Sequence, residues 1–269
     1  MTDQTPREPT PRPLALVTGA SSGIGRALAQ QFADHGFDLV IAAEDDAIHT
    51  AASDLEATGA TVTAAQVDLT TADGVTALHQ ATMARGPVAA AALNAGVGVG
   101  GRFDQTDLDR DLALVDLNCR STVHLAKLLA RDMVARQEGR LLFTASIAAK
   151  APGPYHATYA ASKAFVHSFA EAIRVELSDS GVTVTSLMPG PTETEFFERA
   201  DMEDTKVGSG PQDDAEDVAR DGFEALMAGK DHVVAGSVKN RVMAAGSSAI
   251  PDSVSASGMA KMTEPGSGD

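Results

Sequence analysis

Along this chain, short uninterrupted apolar runs alternate with longer stretches in which apolar residues return every three or four positions. Runs at 14–17, 39–42, 61–67, 88–93, 140–143, 182–187 and 232–235 have the length of buried strands, and the stretches between them carry the period of helices packed on one side. Strands separated by helices call for a covered parallel sheet. The pattern therefore predicts an α/β fold: one domain over 14–245 with a seven-stranded, mostly parallel, doubly wound sheet and helices on both faces. Right-handed crossovers gather the loops after the strands' C-terminal ends around a single crevice. Two ends stand apart. Residues 1–13 hold four prolines and read as a disordered arm, while 246–269 is a Ser/Gly-rich extension expected to be partly disordered and to fray over 264–269. Between them, 238–245 reads as another short helix.

Composition narrows the partners. A formal charge of −16 over 269 residues disfavours nucleic acid and anionic membrane. No apolar run approaches the ~20 residues of a membrane-spanning helix, and the first residues lack a basic start followed by an apolar stretch. The lone Cys119 permits no internal disulfide and fits a reducing cytoplasm; its expected role is a small packed hydrophobe. The histidines, His124, His156 and His167 among them, show no ligand spacing, so no metal is expected.

Two segments carry chemistry. The first strand passes directly into Thr18-Gly19-Ala20-Ser21-Ser22-Gly23-Ile24-Gly25, ahead of a helix with apolar Ile24, Leu28 and Phe32. Glycines in such a turn admit a pyrophosphate close to the backbone, and the helix start offers it free N–H groups. The spacing is GxxxGxG. Farther on, Tyr159 and Lys163 lie four apart on a helical pattern, which sets a phenol and an ammonium on one face. An ammonium that close favours the phenolate, so the pair is expected to exchange a proton nearer neutral pH than the ~10 of a free tyrosine. Asn118 lies inside the helical pattern 107–136, where an amide that competes for backbone hydrogen bonds is locally unfavourable.

Together these residues resemble the short-chain dehydrogenase/reductase family. TGASSGIG, then Asn94-Ala95-Gly96 after the run 88–93, Ser146 thirteen residues before Tyr159, the YxxxK pair, and Pro189-Gly190 match that family's motifs in its order, over about two thirds of the chain. The resemblance implies a Rossmann-like domain and an NAD(P)-dependent oxidoreductase acting on a small or medium apolar carbonyl or secondary alcohol. Tyr159 would be the general acid/base, Lys163 would hold the ribose hydroxyls and lower the Tyr159 pKa, Ser146 would bind the substrate oxygen, and Asn118 would be the fourth catalytic residue, bending its helix. For the cofactor it implies Gly19, Ser21, Ser22, Gly23, Ile24 and Gly25 at the phosphates, Asp68 and Leu69 at the adenine, Asn94, Ala95 and Gly96 beside the adenosine ribose, and Pro189, Gly190, Thr192 and Thr194 near the carboxamide. A homodimer or homotetramer in the cytoplasm is the implied form.

The chain also departs from the family's patterns. The aspartate usual in NAD-type members aligns with Ala43 and the arginine usual in NADP-type members aligns with Glu44. A carboxylate at Glu44 accepts from a ribose 2′-OH and repels a 2′-phosphate, which favours NAD without excluding NADP. Segment 193–210, with Phe196, Phe197 and Met202, reads as a lid, with Pro152, Pro154 and Tyr155 expected across from it. Two other classes serve as alternatives. A dinucleotide-sensing regulator would be expected to lose Tyr159 or Lys163, and a lyase-type relative would replace the lysine and degrade the glycine turn; this chain keeps all of them.

Overall fold

Seven runs expected to be strands are strands, and their register builds one sheet. The structure, a computed structural model, describes residues 12–237, 240 and 252–268. In chain order the elements are β1 (Leu14–Thr18), α1 (Gly23–Asp34), β2 (Asp38–Ala43), α2 (Ala47–Glu56), β3 (Val62–Gln66), α3 (Ala72–Met83) and β4 (Val88–Leu93). Then come α4 (Leu108–Val115), a π-helical turn (Asp116–Ser121), α5 (Thr122–Arg136), β5 (Gly139–Thr144), a 3₁₀ turn (Ile147–Lys150), α6 (Ala157–Glu176) and β6 (Val182–Met188). The chain continues through α7 (Phe196–Arg199), α8 (Lys206–Ser209), α9 (Ala215–Met227), β7 (His232–Val234) and α10 (Asp252–Thr263).

The strands are parallel and run in the order β3-β2-β1-β4-β5-β6-β7. The direction of winding reverses between β1 and β4, and a crevice opens there beyond the strand ends. Alternating side chains feed two cores. On one face Val17, Leu39 and Ile41 meet Leu28 and Phe32 of α1, Ile48 and Leu55 of α2 and Phe223 of α9. On the other, Leu16, Val40 and Phe143 meet Leu78 of α3, Leu129 and Met133 of α5 and Val166 of α6. Each such fully buried side chain contributes about 1.5–3 kcal/mol by leaving water.

The helical pattern at 107–136 is one continuous rod with a defect in it. Asp107 caps α4, its carboxylate accepting from the N–H groups of Asp109 and Arg110, and the rod widens into the π-helical turn at Asn118 before resuming as α5. The ends of the chain differ from expectation. Arg12 belongs to the body: its guanidinium donates to the carbonyls of Ala33, Gly36 and Gly59, while 1–11 lie outside the described residues. In the Ser/Gly-rich extension, Asp252–Thr263 is a helix, and the turn after it is tied down where fraying was expected. Gly266 N–H donates to the Asp204 carboxylate, Gly268 N–H to the Asp204 carbonyl, and Lys206 N–H to Ser267 Oγ. Three ties to the 204–206 segment outweigh a composition that taken alone favours disorder. Apart from Asn240, the helix expected at 238–245 lies outside the described residues.

Candidate active site

At the reversal point the glycine turn closes on itself. Gly19 and Gly23 both have positive φ, +66° and +54°, which a side chain resists. At Gly25 a Cβ would sit 1.9 Å from the Gly19 carbonyl oxygen, so only glycine lets α1 start this close to β1. Ser22 is the N-cap of α1 but makes no side-chain cap bond, and the first turn holds no acidic residue. An uncapped helix start lined by glycines is a cradle for an anion. Ser21 Oγ instead donates to the Asp45 carboxylate at 2.8 Å, which fastens the turn to the segment after β2.

A polar chain connects this turn to the tyrosine and lysine. Thr18 Oγ1 accepts from the N–H groups of Asn94 and Ala95, both at 3.0 Å, and Asn94 Nδ2 donates to the Thr18 carbonyl. Thr144 Oγ1 at the end of β5 donates to Asn94 Oδ1, and Lys163 Nζ donates to the Thr144 carbonyl at 2.8 Å. Gly96 leaves room for the asparagine and the lysine: a Cβ there would lie 3.0 Å from Asn118 Oδ1 and 3.1 Å from Lys163 Nζ. Asn118 clamps the loop, accepting from Val97 N–H and donating to the Val97 carbonyl and to Ser162 Oγ of α6.

The glycine turn and the Asn94–Thr144–Lys163 chain border a cavity of about 780 Å³. Gly19, Ser21, Ser22, Gly23, Ile24 and Gly25 form one end, with Glu44 at the tip of β2 and Leu69 after β3. Asn94, Ala95, Gly96, Ser146, Tyr159 and Lys163 line its middle, and Pro189, Gly190, Thr192 and Thr194 the adjoining wall. Two expected residues are not on that wall. Asp68 lies between lining Val67 and Leu69, but its carboxylate accepts from the N–H and hydroxyl of Thr70 and shapes the turn into α3. Asn118 is buried behind the wall and reaches the site through Val97 and Ser162.

Burial governs the acid–base pair. Tyr159 is pushed up to about 12 by loss of water, with a hydrogen bond to Ser146 pulling it down. Lys163 is pushed down to about 8 by the same cause, partly opposed by nearby Cys119. The expected depression of Tyr159 by the ammonium is thus overturned in this arrangement. The Lys163 Nζ is turned to Thr144 and stands 5.8 Å from the phenol ring centre, and desolvation outweighs a charge at that range. At neutral pH the phenol keeps its proton beside a charged lysine. Cys119 is half-buried and free, and burial raises its thiol.

The far wall is largely apolar, with Glu195, Arg199 and Lys206 also bordering the cavity. Phe196 and Phe197 of α7, Met202, and Val207 of α8 border the cavity, and the Phe196 ring lies 5.0 Å from that of Tyr159. A Cβ on Gly98 would fall 2.6 Å from Phe196 Cζ, and Gly100 N–H donates to the Ala200 carbonyl, so the lid segment is seated on the loop after β4. Met259, Met262 and Thr263 of α10 complete the wall, though the sequence reading passed over them. Their signal was slight: two methionines three apart, one helical face, in a stretch otherwise read as non-globular. The side expected opposite the lid is corrected as well. Pro152 and Pro154 border a separate depression on the surface, and the Tyr155 hydroxyl donates outward to Glu264. His156 is the residue of that loop that reaches the cavity. The wall also includes Asp45 and Asn240, neither of them anticipated. Among the described residues no cluster of side chains could hold a metal ion, and no helix is long and apolar enough to cross a membrane.

Residues 13–204 match the family model described as short chain dehydrogenase. A curated relative from Streptomyces exfoliatus, 1-deoxy-11-beta-hydroxypentalenate dehydrogenase, is 36% identical over 79% of this chain and 78% of its own. The glycine betaine reductase ATRR of Emericella nidulans is 33% identical over 82% of this chain, which spans only 18% of that much longer protein. Among solved structures, a short-chain dehydrogenase from Sphingobium yanoikuyae in complex with NADPH superposes with a TM-score of 0.77 at 29% identity, covering 82% of this chain and 87% of that one. A short chain dehydrogenase/reductase from Burkholderia phymatum in complex with NAD does so with 0.77 at 26%, covering 83% and 88%.

Proposed function

The chain belongs to the short chain dehydrogenase family, and from that premise we propose that it is an NAD(P)-dependent oxidoreductase acting on a small or medium apolar ketone or secondary alcohol. One observation carries the reading: the anion cradle at α1 and the Ser146, Tyr159 and Lys163 side chains open on the same cavity. The glycine turn suits a dinucleotide because its backbone is bare and its helix start is uncapped. A bound nicotinamide dinucleotide would supply or accept the hydride.

The protein's own residues move the proton. In reduction the Tyr159 hydroxyl, protonated because its pKa is raised to about 12, donates to the carbonyl oxygen. Charge then rests on the phenolate, where the Lys163 ammonium and the Ser146 hydroxyl oppose it. Ser146 is held by its own loop, its Oγ accepting from Ala148 N–H at 3.1 Å. Asn118 positions rather than reacts, fixing the 97 loop to α6. Oxidation runs the proton the other way, into a phenolate that is scarce at neutral pH, and so should gain as pH rises. The apolar wall of Phe196, Phe197, Met202, Met259 and Met262 supports a substrate with an apolar body. Glu44 is exposed at the cavity's cofactor end and supports a preference for NAD. We also propose a cytoplasmic homodimer or homotetramer as the working form.

The test is a panel of ketones and aldehydes assayed with NADH and NADPH, and of the matching alcohols with the oxidised cofactors. Turnover of apolar ketones, faster with NADH, is the expected result. A purified, folded protein that binds either cofactor and turns over none of the panel would overturn the reading.

A further inference from the structure

Among the described residues, His156 is the buried side chain on the cavity wall whose polar atoms the protein leaves unpartnered and the proposed chemistry leaves unused. It is 6% exposed, and neither ring nitrogen has a hydrogen-bond partner among the described residues. A buried polar atom without a partner costs roughly 1–3 kcal/mol, and such atoms are few in native proteins. The local role open to it is not taken. His156 occupies the N-cap position of α6 and makes no side-chain cap bond. Space has nevertheless been made for the ring: at Gly153 a Cβ would fall 2.3 Å from both Cδ2 and Nε2 of His156, so a side chain there would displace the imidazole. The ring stands nearly perpendicular to that of Tyr159, centre to centre 6.0 Å, one helical turn before it.

Resting on the function proposed above, we propose that His156 reads a second oxygen of the substrate, one or two carbons from the reacting carbon. The substrate class is then an apolar hydroxyketone or diketone, or the corresponding diol, in preference to the plain ketone. A neutral imidazole offers one donor and one acceptor, so either a hydroxyl or a carbonyl can satisfy it once the ring, whose Nε2 edge now lies against Gly153, turns a nitrogen to the cavity. Phe196, Phe197, Met202, Met259 and Met262 supply apolar contact. Discrimination of this kind is strong because the analogue that lacks the oxygen leaves the histidine unpaired inside the complex.

The experiment compares propiophenone with 2-hydroxypropiophenone in the wild type, His156→Phe and His156→Gln, using NADH and NADPH. The ratio of kcat/KM, hydroxyketone over ketone, should fall about tenfold in His156→Phe, mainly through KM, with part of the loss recovered in His156→Gln. A structural role would lower both substrates together, and a change of ratio under threefold overturns the proposal. If the wild type reduces neither ketone, the reaction class is left to the wider panel, and the contact is judged by calorimetric binding of the two ketones in the presence of oxidised cofactor. Equal affinities in wild type and His156→Phe, or no binding to the wild type, then overturn it. Should neither variant fold, ¹⁵N spectra of the wild-type imidazoles decide: the hydroxyketone but not propiophenone should shift the His156 ring nitrogens, and equal spectra reject the contact.

Discussion

The two ends of the cavity are made in different ways. At the cofactor end, the wall is backbone: glycines at positive φ, a helix start with no cap, and side chains such as Asn94 that brace one strand end against the next. At the substrate end, the wall is side chain: Phe196 and Phe197 on the four-residue α7, Met202 in the loop after it, and Met259 and Met262 on α10, which reaches its place from the far end of the chain. The first end is fixed by what only certain residue types allow, such as Gly25, where a Cβ would meet a carbonyl oxygen at 1.9 Å. The second is fixed by docking, and one apolar residue there can stand in for another. Chemistry should therefore be brittle at one end and specificity adjustable at the other.

The sharpest way to break that contrast is Tyr159→Phe. Deleting the hydroxyl should cut turnover by at least ~10²-fold while cofactor affinity stays within a few fold, because the phenol is the proposed proton donor and the cradle is elsewhere. Steady-state rates on a confirmed substrate, with cofactor binding by fluorescence, make the measurement. Wild-type turnover in this variant would move the proton transfer to another group.

A second effect is read in stability. Burial holds the folded Lys163 at about 8 against ~10.4 for an unfolded lysine. The unfolded chain therefore binds more protons between these values, and stability contributed at this site rises with pH through that window. Below pH 8 the buried charge is fully destabilising; above it the cost is relieved. Relative to Lys163→Met, the wild type should gain up to about 2 kcal/mol on going from pH 7.5 to 9.5. Urea unfolding at the two pH values checks it, and a difference that is flat or of opposite sign would show the ammonium to be well solvated.

The contrast also explains what is legible in the chain alone. Strand positions, the doubly wound sheet and the glycine turn were legible because period and glycine spacing are imposed locally. Even the misplaced Asn118 was legible, and it sits in a π-helical turn. The reading failed where a long-range balance decides. Nothing in the spacing of Tyr159 and Lys163 reveals that desolvation outweighs their attraction. Asp68 is the local exception, its carboxylate taken up by Thr70 only two residues on. The docking of α10 depends on Asp204 and Pro154, at least 48 residues before Asp252, the latter through a bond from Thr263 Oγ1.

Glu44 tests the cofactor end at its least constrained point. The residue borders the cavity from an exposed turn, so repulsion of a 2′-phosphate by its carboxylate should survive screening as roughly a tenfold preference for NAD. Glu44→Arg should abolish this and shift the ratio of kcat/KM for the two cofactors toward NADP by about tenfold or more. An unchanged ratio would place the choice with the turn that Ser21 and Asp45 hold together.

The smallest effect belongs to the substrate end, and it asks whether that wall is adjustable in fact. Asp204 is exposed and ties down α10 through one side-chain bond, from Gly266 N–H at 2.7 Å, beside a backbone bond from Gly268. Asp204→Ala removes only the side-chain bond, worth about 0.5–1.5 kcal/mol. Opening of α10 should then become a few-fold to about tenfold more frequent, read as faster amide exchange over 252–268, with β1 unaffected. Cofactor and a ketone bound together should slow exchange in both 193–210 and 252–268, since both segments border the same cavity. KM should rise a few fold and kcat change little, because the variant loosens a wall and leaves the proton donor alone. Exchange in α10 that ignores both the substitution and the ligands would mean that its docking is as rigid as the glycine turn, and the two ends of the cavity would no longer differ in kind.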